Sequence, residues 1–181
     1  LYRQTLRYEL DQAPTNRCLS ALAEYLRDYP SNDHISECEA MLKDLNDRLD
    51  TKAYEAAKLY YKMEDYLAAR VALRNVLKDD AENIYREDIL FYTAKSSYKY
   101  AQLSVPQKQR ERYLVFIDDY LNFKGENPDS KYVKELDYLY SRAQKALGKR
   151  SEDYEKEIKE KAYAKERKKL EKALAKEKKQ K

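Results

Sequence analysis

Tryptophan is absent from this chain, and its 181 residues hold only two glycines and four prolines. That is too little turn material for an all-β fold, whose short strands need frequent turn signals. No apolar run approaches the length of a membrane span, and no signal peptide heads the chain. The sequence opens at Leu1 without a methionine, so it reads as a fragment or processed product, with any targeting or lipid-anchoring segment lying upstream. Histidine occurs once and cysteine twice. No Walker-type glycine loop and no nucleophile–histidine–acid set can be assembled from what remains. The chain is therefore read as non-enzymatic, with no catalytic residues, cofactor, metal site or small-molecule substrate. His34, with Glu37 and Cys38 at i+3 and i+4, offers too few ligands to close a zinc site. Cys18 and Cys38 fall on adjacent helices either side of Pro30, at uneven distances from the turn. A bridge needs Cα atoms within ~7 Å, and the plain reading is two small buried thiols.

What is abundant is charge and tyrosine. Charged residues make up 39% and mean hydropathy is −1.01, yet apolar residues recur at helical spacing, which excludes disorder over most of the length. Nineteen tyrosines against three phenylalanines suit thin, two-layer packing, because a tyrosine can bury its ring and leave its hydroxyl in water. The net charge of +4 is unevenly placed: residues 149–181 hold fourteen Lys/Arg against eight Asp/Glu, and the rest hold 23 against 25. Residues 148–181 read as a charged helical tail with Glu152→Lys156, Glu155→Lys159 and Glu157→Lys161 pairs, each contributing ~0.2–0.5 kcal/mol. Tyr154, Ile158, Leu170 and Leu174 are too sparse for a coiled-coil seam. The interleaved acids, with Tyr154 and Tyr163 as the tail's only aromatics, argue against nucleic acid as a partner.

The stretch from Ala53 to Ala81 carries the clearest pattern and reads as the part around which the rest is organised. Ala53, Ala56, Ala57, Tyr60 and Tyr61 mark one short helix; Ala69, Leu73, Val76 and Leu77 mark a second. Ala57 and Ala69 are expected to face each other, with Tyr60, Tyr66 and Leu73 filling the space between the helices. Small, aromatic and small residues in this order make the tetratricopeptide pattern, a helix–turn–helix unit of about 34 residues. Thr51 takes its second position, Ala57 the eighth, Tyr60 the eleventh, Tyr66 the seventeenth, Ala69 the twentieth and Leu73 the twenty-fourth. Glu64 replaces the usual turn glycine, and Ala81 the closing proline.

Upstream, residues 1–14 form an irregular polar approach, and Thr15 or Asn16 caps a helix to about Tyr29 with Cys18, Leu22, Tyr25 and Leu26 inward. Ser31 starts the next helix, striped by Ile35, Cys38, Met41, Leu42, Leu45 and Leu49, with nothing to break it before Tyr61. Downstream, residues 84–101 form a first helix with Ile89, Leu90, Tyr92, Ala94 and Tyr98 inward. SVPQKQ interrupts, and Pro106 opens a helix carrying Tyr113, Phe116, Ile117, Tyr120 and Phe123. A last helix spans about Ser130–Leu147, with Tyr132, Leu136, Leu139, Tyr140 and Ala143 inward and Gly148 at its end. The closing positions Pro30, Ala81 and Pro128 lie 51 and 47 residues apart, so these repeats carry lengthened first helices or insertions. The expected fold is all-α: a TPR-like right-handed α-solenoid of antiparallel helix pairs over residues 1–147, followed by the charged tail.

NDRLDTKAYEAAKLYYKMEDYLAA, with YPSN upstream and YREDILFYTAKSSYKYAQLSV…KQRERY downstream, resembles the BamD family. These are the TPR lipoproteins of the bacterial outer-membrane β-barrel assembly (BAM) machinery. The opening RYELDQAPT is similar to that family's entry into its middle repeats, and the Ser104–Gln109 insertion and long tail look most like the Bacteroidetes form. The resemblance covers residues 1–147, roughly the last three repeats. It implies a periplasmic, non-enzymatic scaffold held at the outer membrane by a lipid anchor outside this chain. Its implied partners are the POTRA domains of a BamA-like barrel protein and the other BAM subunits. Two surfaces are candidates for such docking: the tyrosine-rich face with Tyr54, Lys58, Tyr61 and Lys62, and an Arg70–Arg74–Lys78 row that i, i+4, i+8 spacing puts on one outer face. Ordinary solvated charge is the plain reading of that row. A generic TPR adaptor or co-chaperone is the alternative. However, a carboxylate clamp would need lysine and asparagine where Tyr54 and Lys58 stand. A nucleic-acid adaptor working through the tail is the remaining alternative.

Overall fold

The computed structural model describes residues 1–148. A 3-10 turn at Tyr2–Gln4 precedes α1 (Ala13–Asp28), α2 (Ile35–Lys62), α3 (Tyr66–Asp79), α4 (Arg86–Gln102) and α5 (Pro106–Glu126). Residues 133–148 carry the described part of a sixth helix, α6. No strand occurs among the described residues, and the architecture is the expected all-helical, TPR-like one. No helix among the described residues is long and apolar enough to cross a membrane. Apart from Gly148, which is helical, the charged tail lies outside the described residues, and with it the end of α6.

Several helix starts differ from expectation, α4 beginning at Arg86 rather than residue 84 and α6 at residue 133 rather than Ser130 among them. α1 begins at Ala13, ahead of Thr15, because Pro14 sits in its first turn where no backbone donor is needed. Thr15 is fully buried, and its hydroxyl donates to Gln12 Oε1 at 2.8 Å. The Gln12 amide in turn donates to the carbonyls of Arg7 and Leu10, both at 2.9 Å, folding the irregular approach under the helix. α2 begins at Ile35, not Ser31, because Asn32 holds a turn there by accepting from the His34 amide at 2.9 Å. The same device opens α4, where Asn83 Oδ1 accepts from the Tyr85 amide at 2.9 Å, and precedes α6, where Ser130 Oγ accepts from the Tyr132 amide at 3.1 Å.

From Ile35 the helix runs 28 residues without interruption, which accounts for the wide first interval between repeats. In the second interval the extra length falls on α5, a second helix of 21 residues, and on the turn before it. The turn from α2 to α3 takes three residues. The Asp65 amide donates to Tyr60 O at 3.0 Å and the Glu64 amide to Tyr61 O at 3.1 Å, a Schellman closure. Asp65 then caps α3 by accepting from the Ala68 amide at 3.1 Å. Glu64, in the position where the repeat pattern puts glycine, has φ 62° and is the one described non-glycine residue with positive φ.

The core sits elsewhere than the sequence pattern suggests. Ala57, Ala69 and Leu73 are buried as expected, but Tyr60 is 41% exposed. The inward stripe of α2 runs through Tyr54, Ala57 and Tyr61, one step round from Tyr60. The centre is α4, where Ile89, Leu90, Phe91, Thr93, Ala94, Ser96, Ser97, Tyr98 and Ala101 are all buried. Its small residues let α3 and α5 close on it from two sides. The Thr93 hydroxyl donates back to the Ile89 carbonyl at 2.7 Å, and Ser97 Oγ lies 3.1 Å from the Thr93 carbonyl, while Ser96 Oγ is buried without a hydrogen-bond partner among the described residues. The main core joins Phe91, Tyr98, Phe116, Phe123, Leu136 and Ala143 from α4, α5 and α6. Cys18 and Cys38 are buried free thiols.

Candidate functional site

Two surfaces hold the residues singled out from the sequence, and the structure treats them differently. On the first-helix side, the rings form a ladder. Tyr85 stacks on Tyr54 with centroids 4.5 Å apart and planes at 12°, and its hydroxyl lies 3.2 Å from Thr51 Oγ1. One repeat on, Tyr132 stacks on Phe91 at 4.0 Å and 13°, and its hydroxyl donates to Asp88 at 2.6 Å. Lys58 lies 4.7 Å from the Tyr54 centroid and 5.2 Å from that of Tyr92. Lys95 lies 5.1 Å from Phe91 and 5.8 Å from Tyr61, and pairs with Glu135 at 2.8 Å. Tyr61 closes the ladder edge-on against Tyr92 at 5.1 Å and Tyr66 at 5.5 Å.

Thr51, Tyr54 and Lys58 therefore repeat as Asp88, Phe91 and Lys95, each 37 residues later. In both turns a lysine four residues after a ring lies over it, and a tyrosine from the following first helix stacks beneath. Cation–ring contacts of this kind are worth about 0.5–2 kcal/mol, more as water is excluded. Burial, partly relieved by Lys58, pushes the Tyr54 hydroxyl up to about 12. Burial acts to lower Lys58, but the Tyr54 and Tyr92 hydroxyls and Glu55 outweigh it and hold the ammonium above its usual range. Tyr54 is 3% exposed. The ladder is thus a seam between repeats, with Lys62 as its exposed member, paired to Glu55 at 3.3 Å.

On the second-helix side, α3 and α5 flank a groove of about 550 Å³ floored by Leu90 and Thr93 of α4. Arg70 is not part of a solvated row. Its Nε and Nη2 donate to the two oxygens of Asp119 at 2.7 and 3.0 Å, with the side chains 18% and 10% exposed. Asp119 also accepts from the Ser97 hydroxyl on α4, so one carboxylate ties three helices. At the other end Arg86 forks Glu126 at 2.9 and 3.0 Å and donates to the Ala81 carbonyl at 2.7 Å. Between these braces Arg74 and Lys78 line the groove, exposed and without an ion-pair partner among the described residues. The one-face reading of Arg70, Arg74 and Lys78 is thus split: helical spacing aligns the Cα atoms, but Asp119 draws the first side chain inward.

Sequence pattern does not reveal the braces or the Ser130 and Asn83 turns, because the braces pair residues 49 and 40 positions apart and the turns hide in ordinary polar composition. The 37-residue recurrence of ring and lysine was the available signal. No group of His, Cys, Asp or Glu among the described residues could hold a metal ion, and His34 is exposed, 3.2 Å from Glu37. Residues 1–115 match a family model described as YfiO, outer membrane lipoprotein. No curated protein matches the chain.

Proposed function

We propose a function from one premise: the chain belongs to the YfiO family of outer membrane lipoproteins. This is the BamD-like, TPR-type group, and its members associate with the outer membrane as parts of an assembly apparatus. Within it, the chain acts as a non-enzymatic scaffold on the periplasmic face, docking the POTRA domains of a BamA-like barrel protein. The observation that carries the reading is the α3–α5 groove, where Arg74 and Lys78 stand without an ion-pair partner among the described residues, between two Arg–carboxylate braces. Fixed walls mean that a partner's acidic patch meets preset cations, which favours register and association rate more than raw affinity. Arg70 serves this surface by holding the frame. Lys62, at the edge of the ladder, is a secondary contact, and Tyr54, Lys58 and Tyr61 support it from within. Rings fill the positions where a carboxylate clamp would place lysine, which weighs against a co-chaperone role. Isolated POTRA domains on a sensor should retain the chain from dilute solution. Retention by RNA instead, with a steep salt slope, would overturn the reading.

A further inference from the structure

The segment that interrupts the repeat pattern is built as a rigid, projecting tip. Lys95 lies level with Tyr61 near the end of α2, yet α4 continues seven residues further to Gln102, about 10 Å of helix. The turn beyond it is braced internally. Gln109 Nε2 donates to the Gln102 and Ser104 carbonyls at 2.9 and 2.8 Å. The Ser104 hydroxyl donates to Tyr100 O and accepts from Arg112, whose guanidinium sits 4.0 Å from the Tyr100 ring. With its polar groups turned inward, the tip leaves two apolar side chains outside. Leu103 is 72% exposed, the most of any large apolar residue described, and Val105 is 59% exposed. Residues 99–112 carry four cations, Lys99, Lys108, Arg110 and Arg112, against Glu111 alone; Lys108 pairs with Glu111 at 3.4 Å and Arg112 folds onto Ser104 and Tyr100, which leaves Lys99 and Arg110 without an ion-pair partner among the described residues.

Exposed apolar side chains on a segment of net positive charge match an anionic lipid surface, in which aliphatic groups enter the interface while Lys and Arg meet headgroup phosphates. We propose that the α4–α5 tip seats on an anionic phospholipid headgroup layer, with Leu103 and Val105 entering the interface. The inference rests on the family's placement at the outer membrane and is independent of POTRA docking.

The test uses the full chain with vesicles of phosphatidylglycerol and phosphatidylcholine, and with phosphatidylcholine alone. The parent should co-sediment with the anionic vesicles and less so at high salt. The double variant Leu103→Ser/Val105→Ser should bind them about tenfold more weakly, while keeping its circular dichroism spectrum and its POTRA binding. Because the chain has no tryptophan, Leu103→Trp supplies a single reporter whose emission should shift to the blue on anionic vesicles. The proposal is overturned if the parent ignores anionic vesicles, if the double variant binds them as well as the parent, or if the reporter stays in water. Loss of POTRA binding with unchanged vesicle binding would make the tip a protein contact and overturn it equally.

Discussion

Arg70 on α3 grips both oxygens of Asp119 on α5, at 2.7 and 3.0 Å, across the small-residue face of α4. Asp119 is 10% exposed, so removing the arginine would strand a carboxylate left with Ser97 as its one hydrogen-bond partner among the described residues. A charge left unpaired in that setting costs far more than a lost surface pair. The two arginines one helical turn apart, Arg70 and Arg74, thus differ: one holds the frame, and the other stands exposed without an ion-pair partner among the described residues.

That contrast gives the first prediction. Arg70→Ala should destabilise the chain by about 3 kcal/mol, whereas Arg74→Ala should change stability by less than about 0.5 kcal/mol. Urea unfolding of both variants checks this, and an Arg70→Ala/Asp119→Ala pair should recover part of the loss. Equal midpoints for the two single variants would mean the brace is absent in solution.

Glu64 holds φ 62° in a Schellman turn, a backbone region that costs an L-residue ~1–2 kcal/mol. Glycine avoids that cost but adds freedom to the unfolded chain. Glu64→Gly should therefore raise stability by a net ~0.5–1 kcal/mol, read as a higher thermal midpoint. A lower midpoint would show that the turn adopts another conformation.

Much of this fold was legible because helical periodicity survives single departures from pattern. The inward stripes at Cys18, Leu45, Leu73, Phe116 and Leu136 lie where spacing puts them. The centre was not legible. YTAKSSY reads as a half-polar face, yet Thr93, Ser96 and Ser97 are buried, because side chains this small admit close neighbours and those of Thr93 and Ser97 find oxygen partners. Tyr60 was misplaced because a pattern fixes positions along a helix more firmly than its rotation near the end. Arg70 was misplaced because helical spacing carries no information about a carboxylate 49 residues away.

The ladder predicts the response to alkaline pH. Tyr54 is held up to about 12, chiefly by burial, and Tyr132 up to about 12, chiefly by its hydrogen bond to Asp88. An unfolded tyrosine ionises near 10, so the unfolded state sheds these protons first. Stability from both groups is fully present below about pH 10 and is lost as pH rises through about 12. Tyr54 alone should account for up to about 3 kcal/mol. Urea melts at pH 9, 10.5 and 12 should show that decline, and Tyr54→Phe should flatten it; parallel profiles for parent and variant would contradict the ladder.

Docking of an acidic POTRA patch onto Arg74 and Lys78 in the proposed α3–α5 groove would be visible in association kinetics. Interferometry against isolated POTRA domains should be run with the parent and with Arg74→Glu/Lys78→Glu. The double reversal should slow association by about tenfold at low salt, with the difference closing as salt rises. Equal association rates at low salt would show the groove to be ordinary surface. A parent that does not bind POTRA domains at all would contradict the scaffold reading itself.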